Sequence, residues 1–275
     1  MKLFLAKDIE LYITQLRAEL PHAVLLAGPE GIGLRILANH IAGDQVSGII
    51  EPTDTKGNVD LSTSGVIRVT QIRDLASHAM NKSVLERMYI IDGADQMNHQ
   101  AQNAFLKLLE EPASHVHFLL LTHHAERILP TILSRVQSIH IPIISREQSE
   151  ALLDILVVHD ASMRTKLLYL AEGLPAELSR LVSDKERFEQ KAKVITSARQ
   201  LLQGTTIEQL RIINSFSGDR AGTLELLTYT ERILKHSLSQ QPSPALIERA
   251  EAISEVYDRI ASNGNIRIQL LSLVV

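Results

Sequence analysis

The stretch Val24-Leu25-Leu26-Ala27-Gly28-Pro29-Glu30-Gly31-Ile32-Gly33-Leu34-Arg35-Ile36-Leu37-Ala38 decides the fold. An apolar run ends at Gly28, glycines turn the chain, and an apolar-periodic segment follows. That order predicts strand, loop and helix. Both glycines of the phosphate-loop pattern G-x-x-x-x-G-K-[ST] are present, as Gly28 and Gly33, with Gly31 between them. The two residues that would hold a nucleotide are not. Leu34 stands where a lysine would neutralise the β and γ phosphates, and Arg35 stands where a hydroxyl would hold Mg²⁺. Leucine carries no charge, and arginine cannot coordinate a cation. Taken alone, the segment also fits an ordinary strand-to-helix turn.

A second stretch repeats the pattern of a kept scaffold and a lost functional group. Val84-Leu85-Glu86-Arg87-Met88-Tyr89-Ile90-Ile91-Asp92-Gly93-Ala94-Asp95 reads as a buried strand that ends in an acid. Asp92 falls where a Walker B aspartate would hold Mg²⁺, and Gly93 falls where a glutamate would orient the attacking water. Together the two stretches predict an ATPase-type fold whose own nucleotide site has been dismantled.

Composition narrows the classes of function. With 275 residues the chain is long enough for two or three domains. A formal net charge of −4 provides no overall basic field to draw it to DNA. There is no cysteine, which excludes disulfides and thiolate metal sites. Tryptophan is absent and aromatics make up 4%, so stacking of bases on aromatic platforms is a poor mechanism here. Lys2, Lys7, Asp8, Glu10, Arg17 and Glu19 break up the first twenty residues, so neither a signal peptide nor a membrane span is expected there. The expected compartment is the cytoplasm.

Residues 1–144 alternate strand-like runs with helical patterns, the mark of a layered α/β sheet. Strands are predicted at Ala23–Ala27, Gly65–Val69, Arg87–Asp92, His117–Thr122 and Gln137–Ile141. Helices are predicted at Lys7–Glu19, Leu34–Ala42, Val69–Asn81, Asn98–Glu110 and Leu129–Ser134. Gly43–Ser64, rich in Thr, Asp, Asn and Ser, reads as a polar connector. From Ser145 every pattern is helical. Ser145–Val158 and Ser162–Glu172 form a pair, Gly173-Leu174-Pro175 breaks it, and Ala176–Val182 resumes. Residues 145–185 are therefore expected as a small helical domain. Residues 186–275 are expected as a separate bundle of four or five helices, broken near Gly204, Gly218–Asp219, Pro242–Pro244 and Asn263–Gly264. In the helix after Pro244 the predicted apolar stripe is Leu246, Ala250, Ile253, Tyr257 and Ile260.

Asn98-His99-Gln100-Ala101-Gln102-Asn103-Ala104-Phe105-Leu106-Lys107-Leu108-Leu109-Glu110-Glu111-Pro112 is the most specific segment. It resembles the helix after Walker B in the AAA+ clamp-loader subunits of bacterial DNA polymerase III, the delta prime and gamma/tau proteins. Gly65–Leu75 is similar to the family's segment before Walker B, and Phe118–Thr122 to its sensor-1 strand. Leu129-Pro130-Thr131-Ile132-Leu133-Ser134-Arg135-Val136-Gln137 is similar to its Ser-Arg-Cys segment. Ser262–Leu271 resembles the C-terminal helix of the delta prime kind. The likeness runs along the whole chain, strongest from 65 to 140 and thin from 185 to 245.

Several departures discriminate within the family. The four-cysteine zinc module common there has no counterpart, and the Gly43–Ser64 connector lies where it would be. Val136 replaces the cysteine of the Ser-Arg-Cys motif. Leu174-Pro175-Ala176 occupies the place of the sensor-2 arginine. Gamma/tau subunits keep an intact loop and delta prime subunits often do not, so Leu34, Arg35, Gly93 and the missing arginine all favour the second kind. The resemblance then implies a non-hydrolysing stator without cofactor or metal. Its partners would be gamma/tau-type ATPase subunits and the delta subunit and, indirectly, the sliding clamp and primed DNA. The AAA+ domain would be followed by a helical lid and an all-α collar. Arg135 would be a trans arginine finger directed at a neighbouring subunit's ATP.

Other readings of single residues remain open at the level of sequence. Arg135 also has a plainer reading, a surface arginine paired with a carboxylate, against which its motif favours the finger. Glu110 and Glu111 are adjacent on a helix and so do not face one another, which argues against a paired-carboxylate site and for a plain helix terminus ended by Pro112. His115/His117 and His123/His124 lack a third ligand at metal-site spacing. Lys107 reads as a solvated lysine or as a contact to a DNA phosphate. Two further functions compete with the stator. One is an active ATPase that uses Arg35 for the phosphates, and the other is a DNA-binding or scaffold module outside replication.

Overall fold

The structure, a computed structural model, describes residues 4–60, 65–80 and 85–274. The chain divides into two compact units, Met1–Val182 and Ser183–Val275. In the first unit five strands are β1 (Ala23–Ala27), β2 (Val46–Ile50), β3 (Arg87–Asp92), β4 (Val116–Thr122) and β5 (Gln137–His140). They form one parallel sheet in the order β2-β3-β4-β1-β5. The inner strands are apolar almost throughout because both of their faces are covered.

Alternation along these strands sorts side chains onto the two faces. On one face Leu25, Tyr89, Ile91, Phe118 and Leu120 pack under α3 (Val69–Ala79) and α4 (His99–Glu110). Phe105 of α4 meets Phe118 edge-on, with ring centroids 5.2 Å apart. On the other face Val24, Leu26, Ile90, Leu119 and Leu121 pack under α1 (Lys7–Ala18) and α2 (Leu34–Ala42). The short helix α5 (Pro130–Leu133) leads into β5. Three helices complete the unit: α6 (Arg146–Ile155), α7 (Ala161–Ala171) and α8 (Pro175–Ser183).

One predicted strand is not one. Within Gly65–Val69, Val66 and Ile67 make only isolated bridges, to Thr53 and Met97, and Val69 already begins α3. The fifth strand is β2, which lies inside the segment read as a polar connector. The last four residues of that connector, 61–64, and the predicted helix end Asn81 lie outside the described residues, as does Val84. β2 lacks the continuous apolar run of a buried strand: it is an edge strand with Ser47 and Gly48 in its middle and a register shift between Val46 and Gly48. Gly48 is there for contact: a Cβ at this position would come within 3.1 Å of the Tyr89 ring.

The second unit is helical, with α9 (Lys185–Gln203), α10 (Thr206–Phe216), α11 (Arg220–Gln240), α12 (Pro244–Ala261) and α13 (Ile266–Leu271). Polar caps start four of them: Asp184, Thr205, Asp219 and Asn265 each accept a backbone N–H of the first turn, while α12 opens on Pro244. The α12 stripe differs from expectation by one residue. Ile253, Val256 and Ile260 are buried, while Tyr257 is exposed. Both spacings fit a helical stripe, and the aliphatic side chain takes the inward place.

Candidate nucleotide-loop site and interface arginine

The loop between β1 and α2 turns on glycines. Gly31 and Gly33 have φ of +85° and +98°, the left-handed region that favours glycine. The Gly28 N–H donates to Thr122 at the end of β4, and the Gly28 carbonyl accepts from Nδ1 of His123 at 2.7 Å. At the third side the N–H of Glu177 donates to the Gly31 carbonyl at 3.0 Å, so α8 is fastened to the loop. A Cβ at Gly31 would lie 2.9 Å from Cβ of the buried Glu177. Ala176, at the expected sensor-2 position, sits against Gly33. One turn later Arg180, which belongs to no sequence motif, lines the same cleft.

The two substituted positions take different routes. Leu34 is buried in the core with Ile32 and Leu37, so the side chain that would have been a phosphate-binding lysine is a packing residue. Arg35 does face the cleft, and Nη1 lies 2.6 Å from Oδ2 of Asp92 and 3.2 Å from Oε1 of Glu51. A guanidinium thus bridges Asp92, the acid that closes β3, and a carboxylate just past β2. Glu51 carries no motif, and only the fold brings it to Arg35. Gly93 has φ +79°, and a Cβ there would meet Oε1 of Gln96 at 2.6 Å and Pro52 at 3.0 Å. Any side chain at this position is strained and crowded. The resulting cleft has a volume of about 650 Å³ and carries Glu30, Asp95, His124 and Arg127 as well. Beside it lies an apolar cavity of about 170 Å³, with Phe4, Leu5, Ile36 and Ile155 in its wall.

Arg135 lies at the other end of the sheet. It follows α5 and precedes β5, where Gln137 pairs with Val24 and His140 with Ala27. The phosphate loop begins only after Ala27, so three residues of strand, roughly 10 Å, already separate Gln137 from the level of the loop. In a parallel sheet the start of β5 and the end of β1 face opposite ways. The guanidinium is half-exposed. Its Nη2 lies 3.1 Å from Oε1 of Glu110, and its Nη1 donates to the Thr131 carbonyl at 3.0 Å and to Ser134 Oγ at 3.3 Å. The carboxylate pairing that the sequence left open is therefore real. The buried Gln102 of α4 fixes the segment that carries this arginine: it donates to the carbonyls of Met97 and Arg127 and accepts the Leu129 N–H at 2.8 Å.

Among the histidines, His117 Nδ1 is hydrogen-bonded to the Pro21 carbonyl and His124 pairs with Glu126. No group of three or more His, Cys, Asp or Glu among the described residues is arranged to hold a metal ion. Lys107 and Arg73 line a shallow groove between α3 and α4. No helix among the described residues is long and apolar enough to cross a membrane.

A parallel sheet of this order, with a glycine loop after β1 and an acid closing β3, defines the AAA+ class of nucleotide-binding folds. The profile of the family described as DNA polymerase III, delta subunit, matches residues 7–145, about half of the chain. The chain belongs to that family, as a delta prime-like clamp-loader subunit. It is 33% identical to the DNA polymerase III subunit delta' of Pseudomonas aeruginosa, over 68% of this chain and 63% of that one. Against the corresponding Bacillus subtilis protein the identity is 32%, over 67% of this chain and 61% of that one. The chain thus matches less than two thirds of the length of either relative. A DNA polymerase III, gamma subunit-related protein of Thermotoga maritima shares the fold, with a TM-score of 0.55 at 17% identity, covering 98% of this chain and 97% of the other.

Proposed function

We propose that this chain is the non-hydrolysing stator of a replicative clamp loader. It assembles with gamma/tau-type ATPase subunits and a delta subunit, helps load the sliding clamp onto primed DNA, and offers Arg135 to a neighbouring subunit's ATP. Residues 1–144 serve as the AAA+ domain, 145–185 as the lid and 186–275 as the collar. The observation that carries this reading is the division of labour between two arginines. Arg35 is spent inside its own loop on Asp92 and Glu51, while Arg135 stands half-exposed at the opposite end of the sheet. An active ATPase that used Arg35 for the phosphates would need that guanidinium released from both carboxylates. At the far end, Arg135 cannot reach the chain's own loop, so a catalytic role for it requires a second subunit.

The test is the clamp-dependent ATPase of the reconstituted complex. Arg135→Ala should lower the rate by ~10³-fold at the sites that rely on the finger, because charge on the transferring phosphoryl group loses its partner. Folding should be nearly unchanged, as for most surface substitutions. Arg35→Ala changes only the local loop and should reduce the rate much less, with its melting temperature measured alongside. Equal losses from both variants, or none from Arg135→Ala, would reject the stator-with-finger reading.

A further inference from the structure

We infer that Glu110 is a positioning residue for Arg135, an electrostatic tether that keeps the guanidinium presented at the subunit surface before a neighbour's nucleotide arrives. The inference rests on the function proposed above. Its physical basis is the misfit of Glu110 in its own helix. Glu110 is the last residue of α4 and Glu111 is the C-cap. The C-terminal end of a helix carries partial negative charge, so a carboxylate there works against the helix that bears it. A cation from another element removes the conflict, and the cation present is Arg135, with Nη2 3.1 Å from Oε1.

The remaining contacts of the guanidinium show why the tether suits a finger. Nη1 is held by the Thr131 carbonyl and by Ser134 Oγ, both on the turn that carries Arg135 itself. On the opposite edge, Nη2 faces Oε1 of Glu110 at 3.1 Å, and with Nε it forms a two-donor fork that matches a phosphate. Glu110 thus restrains the side chain by charge and holds the place on this edge that a phosphate would take. Both partners are half-exposed, with 39% and 53% of the side chains accessible, so a phosphate can displace the carboxylate without opening the fold. Without Glu110 the guanidinium is held only from its own turn and samples more rotamers, and the entropy of ordering it falls on the catalytic step.

Two measurements separate this inference from the reading it rests on. In the isolated chain, ¹⁵N relaxation of the Arg135 side chain should show faster, wider motion in Glu110→Ala than in the natural sequence, whatever the complex does. In the reconstituted complex Glu110→Ala should lower kcat for clamp-dependent ATP hydrolysis by about two- to tenfold, the range expected for ordering one long side chain, with KM for ATP unchanged. Glu110→Gln should fall with Glu110→Ala, since the contact is one of charge. In an Arg135→Ala background Glu110→Ala should cost nothing further, whereas a merely structural role would lower the rate in both backgrounds. Full activity in Glu110→Ala, unaltered Arg135 motion, or an equal loss in the Arg135→Ala background would overturn the tether while leaving the finger standing. No loss from Arg135→Ala itself would overturn both.

Discussion

At position 35 a guanidinium lies between two carboxylates, Asp92, where a magnesium ligand was expected, and Glu51. Mg²⁺ demands oxygen ligands in near-octahedral geometry, and Asp92 is already engaged at 2.6 Å. Position 34 supplies no compensating charge, because Leu34 is part of the core. The turn of backbone N–H groups at Gly31 and Gly33 still offers a weak attraction for an anion. That attraction lacks the lysine and the metal that together match a triphosphate. Isothermal titration of the isolated chain with Mg·ATP should therefore show no binding at micromolar concentrations, and a micromolar or tighter isotherm would contradict the account of this loop. The substitutions themselves were legible in the sequence, since the glycine spacing marks the positions. Their consequences were not. Glu51 is 16 residues from Arg35 and Asp92 is 57 residues away, and no local pattern announces either contact. The pairing of Arg135 with Glu110 was likewise visible only as a general alternative, because nothing in residues 98–112 points to residue 135.

At the scale of elements, apolar runs bounded by glycines located β1 and β3 residue for residue, because a buried parallel strand needs little but apolar side chains. β2 failed that criterion, being half-exposed and carrying Ser47 and Gly48. Gly65–Val69 met the criterion without being a strand: Ile67 is fully buried in the core, yet its strand-type pairing is a single bridge to Met97. Helix starts in the C-terminal unit were legible through their breakers, and the caps give one of them a pH dependence. In the capping box of α10, Glu208 accepts the Thr205 N–H at 2.7 Å and the Thr205 hydroxyl at 2.9 Å. These bonds, the backbone one foremost, hold the Glu208 carboxyl below its ordinary value of 4.5. A depressed carboxylate pKa means that the contribution is fully present above about pH 4.5 and is lost as the pH falls through the lower folded value. Glu208→Gln keeps the shape without the charge. The difference in thermal midpoint between the natural sequence and Glu208→Gln should favour the former at neutral pH and vanish in acid. A difference that persisted unchanged at low pH would show that the charge of Glu208 adds nothing to this cap.

At the scale of the whole molecule, the switch from mixed strand-and-helix patterning to helix alone foretold a helical C-terminal part, and the chain's second compact unit is Ser183–Val275. The line expected near residue 144 does not separate units in the same way, since α6, α7 and α8 belong to Met1–Val182 and α8 is fastened to the loop through Glu177. Hydrophobic pattern reports which face of a helix is buried, and it cannot say whether the covering surface comes from the same unit. The second unit has its own core, including Ala198, Leu226, Leu227, Ile253 and Ile260. It also leaves Ile207, Leu210, Ile247 and Ile268 exposed, with Ile207 and Ile268 each 64% accessible. Single exposed aliphatics are common on monomers, but several on one small helical bundle are what a collar offers to neighbouring bundles. A fragment beginning at Asp184 retains the cap of α9 and every helix of the unit, so it should fold alone with a cooperative thermal transition. Mixed with the corresponding fragments of gamma/tau-type subunits, it should form a hetero-oligomer by analytical ultracentrifugation. Ile207→Asp combined with Ile268→Asp should abolish that association and leave the transition in place, because both side chains already lie in water. A folded fragment that stays monomeric, or that associates equally well with both aspartates present, would remove the collar assignment and with it the simplest route by which this chain takes its place beside an ATPase subunit.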